Sequence, residues 1–218
     1  MPDQRRIARL VAARFRWPWP RDYVRAKLRL DPAYSAVADR IAATTAGVLD
    51  IGCGYGLLGF YLRERGFRGR YLGIDFDQRK IAEARRITQA RAMDLAFDDG
   101  QANALPAFSG HVVLLDVLHY LDAADQQRLL GEAAARVAPG ALLIVRNVLR
   151  ERSWRFHVTV WEERFAHALR WMRSPPRHFP ARAEVEAPLH AAGLEIDVHP
   201  LWGGTPFNSY AIVARRNA

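Results

Sequence analysis

The 218-residue chain has one cysteine, Cys53, only two lysines, and no apolar run long enough for a membrane-spanning helix. A lone cysteine excludes an intrachain disulfide framework and any multi-cysteine zinc site, and it fits a reducing compartment. A spanning helix needs roughly 18 to 20 consecutive apolar residues, which this sequence nowhere supplies. Arginines at 5, 6, 9, 14 and 16 break up the apolar centre of a secretory signal. The absence of serine before Ser35 speaks against an organellar presequence. The seven histidines show no metal-ligand spacing, so no metal is expected. There are no internal repeats and no low-complexity tracts. Half of the residues are hydrophobic and a quarter are charged, which excludes a disordered or fibrous chain. These absences predict a cytoplasmic protein with a single domain over 1–218, large enough to stand without covalent staples.

What is present is positive charge, unevenly placed. The net charge is +9, and arginine supplies 30 of the 32 cations. Residues 1–30 hold nine basic and two acidic groups, and residues 150–182 hold eight and three. The rest of the chain is close to neutral, so a uniformly basic nucleic-acid surface is not what the charge describes.

From residue 47 the pattern alternates between strand and helix. Gly47–Ile51 reads as a short buried strand, and Leu57–Arg65 as a helix stopped by Gly66. Arg70–Asp75 is a second strand. Asp77 suits the cap of a helix running to about Ala90, with Ile81, Ala84 and Ile87 on one face. Leu95–Phe97 reads as a third strand, His111–Leu115 as a fourth and Ala141–Val145 as a fifth, with a helix over Gln126–Val137 between the last two. Such alternation means a parallel sheet covered on both faces. The alternation then breaks. Trp154, Val158, Trp161, Phe165, Ala168, Leu169 and Met172 fall within about 100° of a helical wheel, and Ser174-Pro175-Pro176 ends that helix. A helix near Ala183–Ala191 leads to a closing antiparallel hairpin, Leu194–Val198 and Tyr210–Ala214.

The central motif is Asp50-Ile51-Gly52-Cys53-Gly54-Tyr55-Gly56, after a strand and before a helix. Glycines there let the backbone turn sharply and come close to a ligand. Read as Gly54-x-Gly56-x-x-Gly59, with Asp75 further on, it also matches the dinucleotide fingerprint. Asp50 separates the readings, because a carboxylate ahead of the loop repels a pyrophosphate and suits a cationic ligand.

The sequence resembles the class I S-adenosylmethionine-dependent methyltransferases over roughly residues 45–216. Besides the glycine motif, the resemblance is carried by Gly73-Ile74-Asp75-Phe76-Asp77, Ala104-Leu105-Pro106, Val112 to Leu121, and Val137 to Leu142. It implies a Rossmann-like α/β fold with seven strands in the order 3-2-1-4-5-7-6, strand 7 antiparallel and helices on both faces. It implies S-adenosyl-L-methionine as cofactor, with Gly52, Gly54 and Gly56 along its methionine moiety and Asp50 helping to orient it. Asp75 is then the acid that holds both ribose hydroxyls, and Phe76 the residue that packs on the adenine. Where many members have Gly-Asp-Ala, this chain has Gly100-Gln101-Ala102. Gln101 takes the adenine-binding place there, beside Ala102, with Asp99 as its rival. Asp116 falls at the methionine end. More loosely, Lys27 to Tyr34 and Gly203 to Tyr210 look similar to methyltransferases of bacterial aryl-polyene and related pigment pathways, which would place the chain in secondary metabolism.

A sulfonium is itself a strong electrophile, so proximity and orientation supply most of the rate. A base is needed only for an acceptor with a high pKa. His119, three residues past the fourth strand, is the candidate base; its alternative role is to pack the turn into the next helix. The hairpin turn offers Trp202 and Asn208 to the acceptor, and Trp161 lies on the inserted helix. In this family the acceptor pocket is built before the first strand and after the fifth, which makes 1–44 a helical cap and 149–181 a helical insertion. Both carry the arginine surplus, together with Trp17, Trp19, Trp154, Trp161 and Trp171. In the first segment Ile7, Leu10, Val11 and Phe15 form an apolar arc that Arg14 interrupts, and Trp17-Pro18-Trp19-Pro20 stops the helix. Aromatic walls with an arginine rim suit a small apolar, aromatic or acyl acceptor with an anionic handle. That acceptor could be presented by an acidic carrier protein or at an anionic membrane surface, which would add a peripheral location. RNA methylation is the alternative function. Against it, Asp116-Val117-Leu118-His119 stands where a base-binding Asn/Asp-Pro-Pro-Tyr motif would be.

Overall fold

The computed structural model describes residues 4–16, 18–101, 104–168 and 175–216, apart from the side chains of 19 and 162–168. Trp17, Ala102, Leu169, Trp171, Met172 and Ser174 lie outside the described residues, as do the side chains of Trp19, Phe165 and Ala168.

Three helices precede the first strand: α1 (Gln4–Ala12), α2 (Pro18–Leu30) and α3 (Ala33–Ile41). The apolar arc of α1 buries Ile7, Ala8, Val11 and Ala12. The helix ends before Phe15, which the sequence placed on it and which is fully buried in the connection. Pro18 begins α2, where its missing N–H costs nothing because the first turn of a helix leaves that group unused. The sequence reading missed α3. It buries Ala33, Tyr34, Val37, Ala38 and Ile41 on one face, and the Asp31 carboxylate accepts the Ala33 N–H at its start, 2.9 Å away.

The remaining elements are β1 (Val48–Ile51), α4 (Leu57–Glu64), β2 (Tyr71–Asp75), α5 (Gln78–Ala90), β3 (Ala96–Asp99), β4 (His111–Leu115), a 3-10 turn (Leu118–Tyr120), α6 (Ala123–Ala135), β5 (Leu142–Asn147), α7 (Trp154–Ala168), α8 (Arg182–Ala191), β6 (Glu195–Pro200) and β7 (Tyr210–Arg215). The sheet has seven strands in the order β3-β2-β1-β4-β5-β7-β6, as the resemblance implies. β7 runs antiparallel to both β5 and β6, while the β1–β2, β2–β3 and β4–β5 pairs are parallel. β1 and β2 are buried along their whole length, as strands covered on both faces must be. By internal packing the chain divides into two compact units, Met1–His111 and Val112–Ala218.

Some boundaries differ from the sequence reading, each for a local reason. α6 begins at Ala123 rather than Gln126, because the Asp122 carboxylate caps it by accepting the Asp125 N–H at 2.9 Å. Gln126 is instead a buried clamp, donating from Nε2 to the carbonyls of Leu118 at 2.8 Å, Leu121 at 3.2 Å and His178 at 2.8 Å. β5 continues through Arg146 and Asn147, past the Val145 at which the sequence reading ends the strand, because β7 pairs with it as far as Asn147↔Tyr210. The described part of the α7 stripe is exposed: Trp154 is 61% exposed and Trp161 74%. Among the described residues no helix is long and apolar enough to cross a membrane.

Candidate functional site

In the first unit the chain leaves β1 through a loop in which Gly52, Gly54 and Gly56 all have positive φ, at 75°, 55° and 73°. This backbone region penalises any residue with a Cβ, so the glycine spacing is a conformational demand. Gly56 is doubly required, since a Cβ there would stand 2.5 Å from the ring of Phe97. Over Gly54 there is room, the nearest atom to such a Cβ being Lys80 Cδ at 4.0 Å.

Asp75, at the end of β2, closes onto this loop. Its Oδ2 accepts the N–H of Gly54 at 2.8 Å, and its Oδ1 accepts that of Asp77 at 2.8 Å. Each carboxylate oxygen keeps a second lone pair for a further donor. Phe76, the next residue, is 61% exposed. Gln101 is exposed beyond β3. Asp99, its rival, already accepts from Gln78 Nε2 at 3.2 Å and from Arg85 at 3.4 Å.

Asp50 is buried, and the hydroxyl of Tyr71 donates to its Oδ2. Asp50 lies opposite Gly73 in the β1–β2 register. The space a Cβ on Gly73 would need is taken by Cys53 Sγ and the Phe97 ring, each 2.8 Å from it, and Tyr71, two residues back on the same strand, reaches the carboxylate diagonally. Burial pushes the Asp50 carboxyl up to about 7, against the downward pull of the Tyr71 hydrogen bond, and the nearby Asp75 adds to the rise. Cys53 is buried too, and burial raises its thiol well above the ordinary range, which makes it a poor nucleophile.

In the second unit Asp116 follows β4 with φ at 61°, the left-handed region that a non-glycine residue enters only when held there. Its N–H donates to the Arg146 carbonyl at 2.9 Å, and its carboxylate pairs with the Arg146 guanidinium. Arg146 Nε also donates to Ser209 Oγ at 2.7 Å. His119 is fully buried: Nδ1 meets Asn147 Oδ1 at 3.1 Å, and the ring stacks on Phe179 with centroids 5.8 Å apart. Its carbonyl accepts the Arg177 N–H at 2.8 Å. Asn208 is equally buried, donating from Nδ2 to the Leu149 carbonyl at 2.6 Å, while its own N–H donates to Thr159 Oγ1 at 2.8 Å. Trp202 is half-buried and packs edge-on against Tyr210. The Arg155 guanidinium lies 4.6 Å from the Trp202 ring centroid and 4.7 Å from that of Trp154.

The methyltransferase domain family matches residues 48–140, the span from β1 to the turn before β5. Over that span, less than half of the chain, the sequence is similar to a methyltransferase domain. It is 33% identical over 99 residues to a demethylmenaquinone methyltransferase of Thermus thermophilus, covering 45% of each protein. It is 35% identical over 104 residues to ribosomal RNA small subunit methyltransferase C of Chromohalobacter salexigens, covering 45% of this chain and 30% of that one. The chain therefore spans less than half the length of these curated relatives. The solved structure of magnesium protoporphyrin IX methyltransferase from Synechocystis PCC 6803, with bound SAH, superposes with a TM-score of 0.67 at 19% identity, covering 97% of this chain and 93% of that one.

The glycine loop fits S-adenosylmethionine, the cofactor that the resemblance implies. The space over Gly54 lets a ligand approach the backbone, the anchored Asp75 carboxylate has lone pairs left for a diol, and Phe76 stands exposed as a platform. Asp50, expected to help orient the methionine moiety, is only 2% exposed and is bonded to Tyr71. His119 takes the packing role rather than that of an accessible base, since its ring has no solvent exposure. Asn208 serves as a structural tie between β7, α7 and the end of β5, whereas Trp161 is open to solvent.

Sequence reasoning missed Tyr71 and did not find what Gly59, Arg14 and Arg146 do. Arg14 does not simply interrupt an apolar arc: it pairs with Glu64, lies 5.4 Å from the Phe60 ring centroid, and has a side chain only 8% exposed. Tyr71 had a readable signal in its place two residues before Gly73, diagonal to Asp50.

Proposed function

We propose that the chain is an S-adenosylmethionine-dependent methyltransferase acting on a small apolar, aromatic or acyl acceptor that carries an anionic handle. The observation that carries the cofactor half is the Gly54 N–H donating to Asp75, because it ties the acid at the end of β2 to the loop whose glycines open the backbone. When bound, S-adenosylmethionine supplies a methyl group on a positively charged sulfur. Asp75 accepts ribose hydroxyls, Phe76 packs on the adenine face, and Gln101 accepts the adenine amino group through its side-chain carbonyl. The glycines hold the loop in the one conformation that leaves its backbone open. Rate then comes from aligning the acceptor, and with His119 sealed no base is assigned.

For the acceptor, support comes from the two arginine-rich segments and from the exposed Trp154 and Trp161. A relative named for demethylmenaquinone agrees with an apolar aromatic acceptor. Presentation by an acidic carrier protein or at an anionic membrane surface follows from the same charges, as does a peripheral location.

RNA methylation is the second reading, favoured by the ribosomal RNA methyltransferase relative and by the net charge of +9. Transfer of labelled methyl from S-adenosylmethionine to a quinol or aryl acceptor panel, run beside total ribosomal RNA, separates the two. Label in the organic-extractable acceptor and none in RNA is expected; label in RNA alone would replace the first reading with the second.

A further inference from the structure

A hollow of about 450 Å³ lies between α1 and α2, lined by Arg9, Ala12 and Ala13 from the first helix and its end, and by Pro18, Arg21, Asp22 and Arg25 from the second. Both sets follow the spacing of three and four residues that puts side chains on one helical face. The two alanines leave the space, and the arginines rim it. We propose that this hollow is a phosphate-binding site that holds the anionic handle of the acceptor. That the anion belongs to the acceptor rests on the methyltransferase reading; that the hollow binds an anion rests on its own charges.

Three guanidinium groups face one carboxylate, a surplus of two positive charges. Asp22 accepts from Arg25 at 2.8 Å and neutralises that one. Arg21 donates from Nε to the Phe15 carbonyl at 2.5 Å, and Arg9 donates from Nε to the Arg5 carbonyl at 3.4 Å. The first bond holds the Arg21 fork by its inner nitrogen, the second is a long contact of the exposed Arg9, and the terminal nitrogens of both have no hydrogen-bond partner among the described residues. A carboxylate satisfies one such fork, whereas a phosphate carries charge and oxygens enough for two. The hollow falls within the usual range for small-ligand sites, with room for the group attached to a phosphate ester.

Its position supports the assignment to the acceptor. Phe15, whose carbonyl holds Arg21, packs its ring edge-on against Tyr55 with centroids 6.0 Å apart. Tyr55 sits between Gly54 and Gly56, so one residue separates the anion site from the cofactor loop.

The test is calorimetry of the full chain with pyrophosphate as probe, beside S-adenosylmethionine titrated into the same protein. Two variants are compared: Ala13→Leu, which fills the hollow without changing charge, and Arg9→Gln, which removes a fork without touching the Phe15 contact. Each is expected to weaken pyrophosphate binding at least tenfold and to leave S-adenosylmethionine binding within twofold. Sedimentation with phosphatidylglycerol vesicles separates the sources. Vesicle binding lost in both variants makes the phosphate a lipid headgroup, and pyrophosphate binding without vesicle binding makes it a soluble ester. Wild-type protein that binds neither, or variants that bind as well as wild type, would overturn the site. Wild type that binds pyrophosphate but not S-adenosylmethionine would leave the site standing and remove the methyltransferase reading.

Discussion

The hydroxyl of Tyr71 donates a hydrogen bond to the buried carboxylate of Asp50, from neighbouring strands and on the same face. Gly59 makes this possible from α4, because the Tyr71 ring lies where a Cβ on that residue would be, 2.7 Å from its Cε1. The third glycine of the fingerprint therefore serves the acid that precedes the first.

Asp50 gives stability a pH dependence of predictable sign. Burial holds its folded value at about 7, above the unfolded value near 4, so folding favours the protonated form. Its contribution is full below about pH 4, declines as pH rises from about 4 to 7, and stays low above that, a change on the order of 4 kcal/mol. Urea midpoints should fall from pH 5 to pH 7 for wild type and level off between pH 7 and pH 8. Asp50→Asn should lose that slope, and equal slopes in the two proteins would contradict the assignment.

Gly59→Ala should push the Tyr71 ring aside and mimic Tyr71→Phe. Both leave the buried carboxylate short of a donor, a loss of about 1–3 kcal/mol. The cost should be larger at pH 8, where Asp50 is ionised, than at pH 5. Thermal melts of both variants at the two pH values read this out, and a loss independent of pH would mean that the hydrogen bond is not the cause.

Arg14 is paired with Glu64, and its burial lowers its own pKa. Arg14→Met should cost about 2 kcal/mol by stranding a partly buried carboxylate, and adding Glu64→Gln should recover part of the loss. Strict additivity in this double-mutant cycle would show that the pair contributes nothing.

His119→Ala should cost about 2–4 kcal/mol of stability through the lost stack on Phe179 and the lost bond to Asn147. The shape of the pH–rate profile for methyl transfer should be unchanged. Disappearance of an acidic limb, the fall in rate as pH drops through the histidine range, would restore His119 as the general base.

The glycine loop and its neighbours were legible in sequence because their demands are local: positive φ asks for glycine at 52, 54 and 56 whatever surrounds them, and Asp77 caps α5 through a carboxylate two residues from its donor, the Arg79 N–H. The strand order came with the family resemblance, since periodicity names strands but does not rank them. What stayed hidden depends on residues far apart in the chain. Arg14 reads as a break in an apolar arc until Glu64 is beside it. The partner of Asp50 lies on the next strand. The apolar wheel of α7 does not say which way it faces, and the burial of His119 depends on Phe179, sixty residues on.

The central claim is that the Gly52–Gly56 loop, closed by Asp75, holds S-adenosylmethionine. Isothermal titration with S-adenosylmethionine into wild type and Asp75→Ala tests it most directly. Saturable one-to-one binding to wild type, weakened at least tenfold in the variant, is the predicted result. No binding to wild type, or equal affinity in the two proteins, would contradict it.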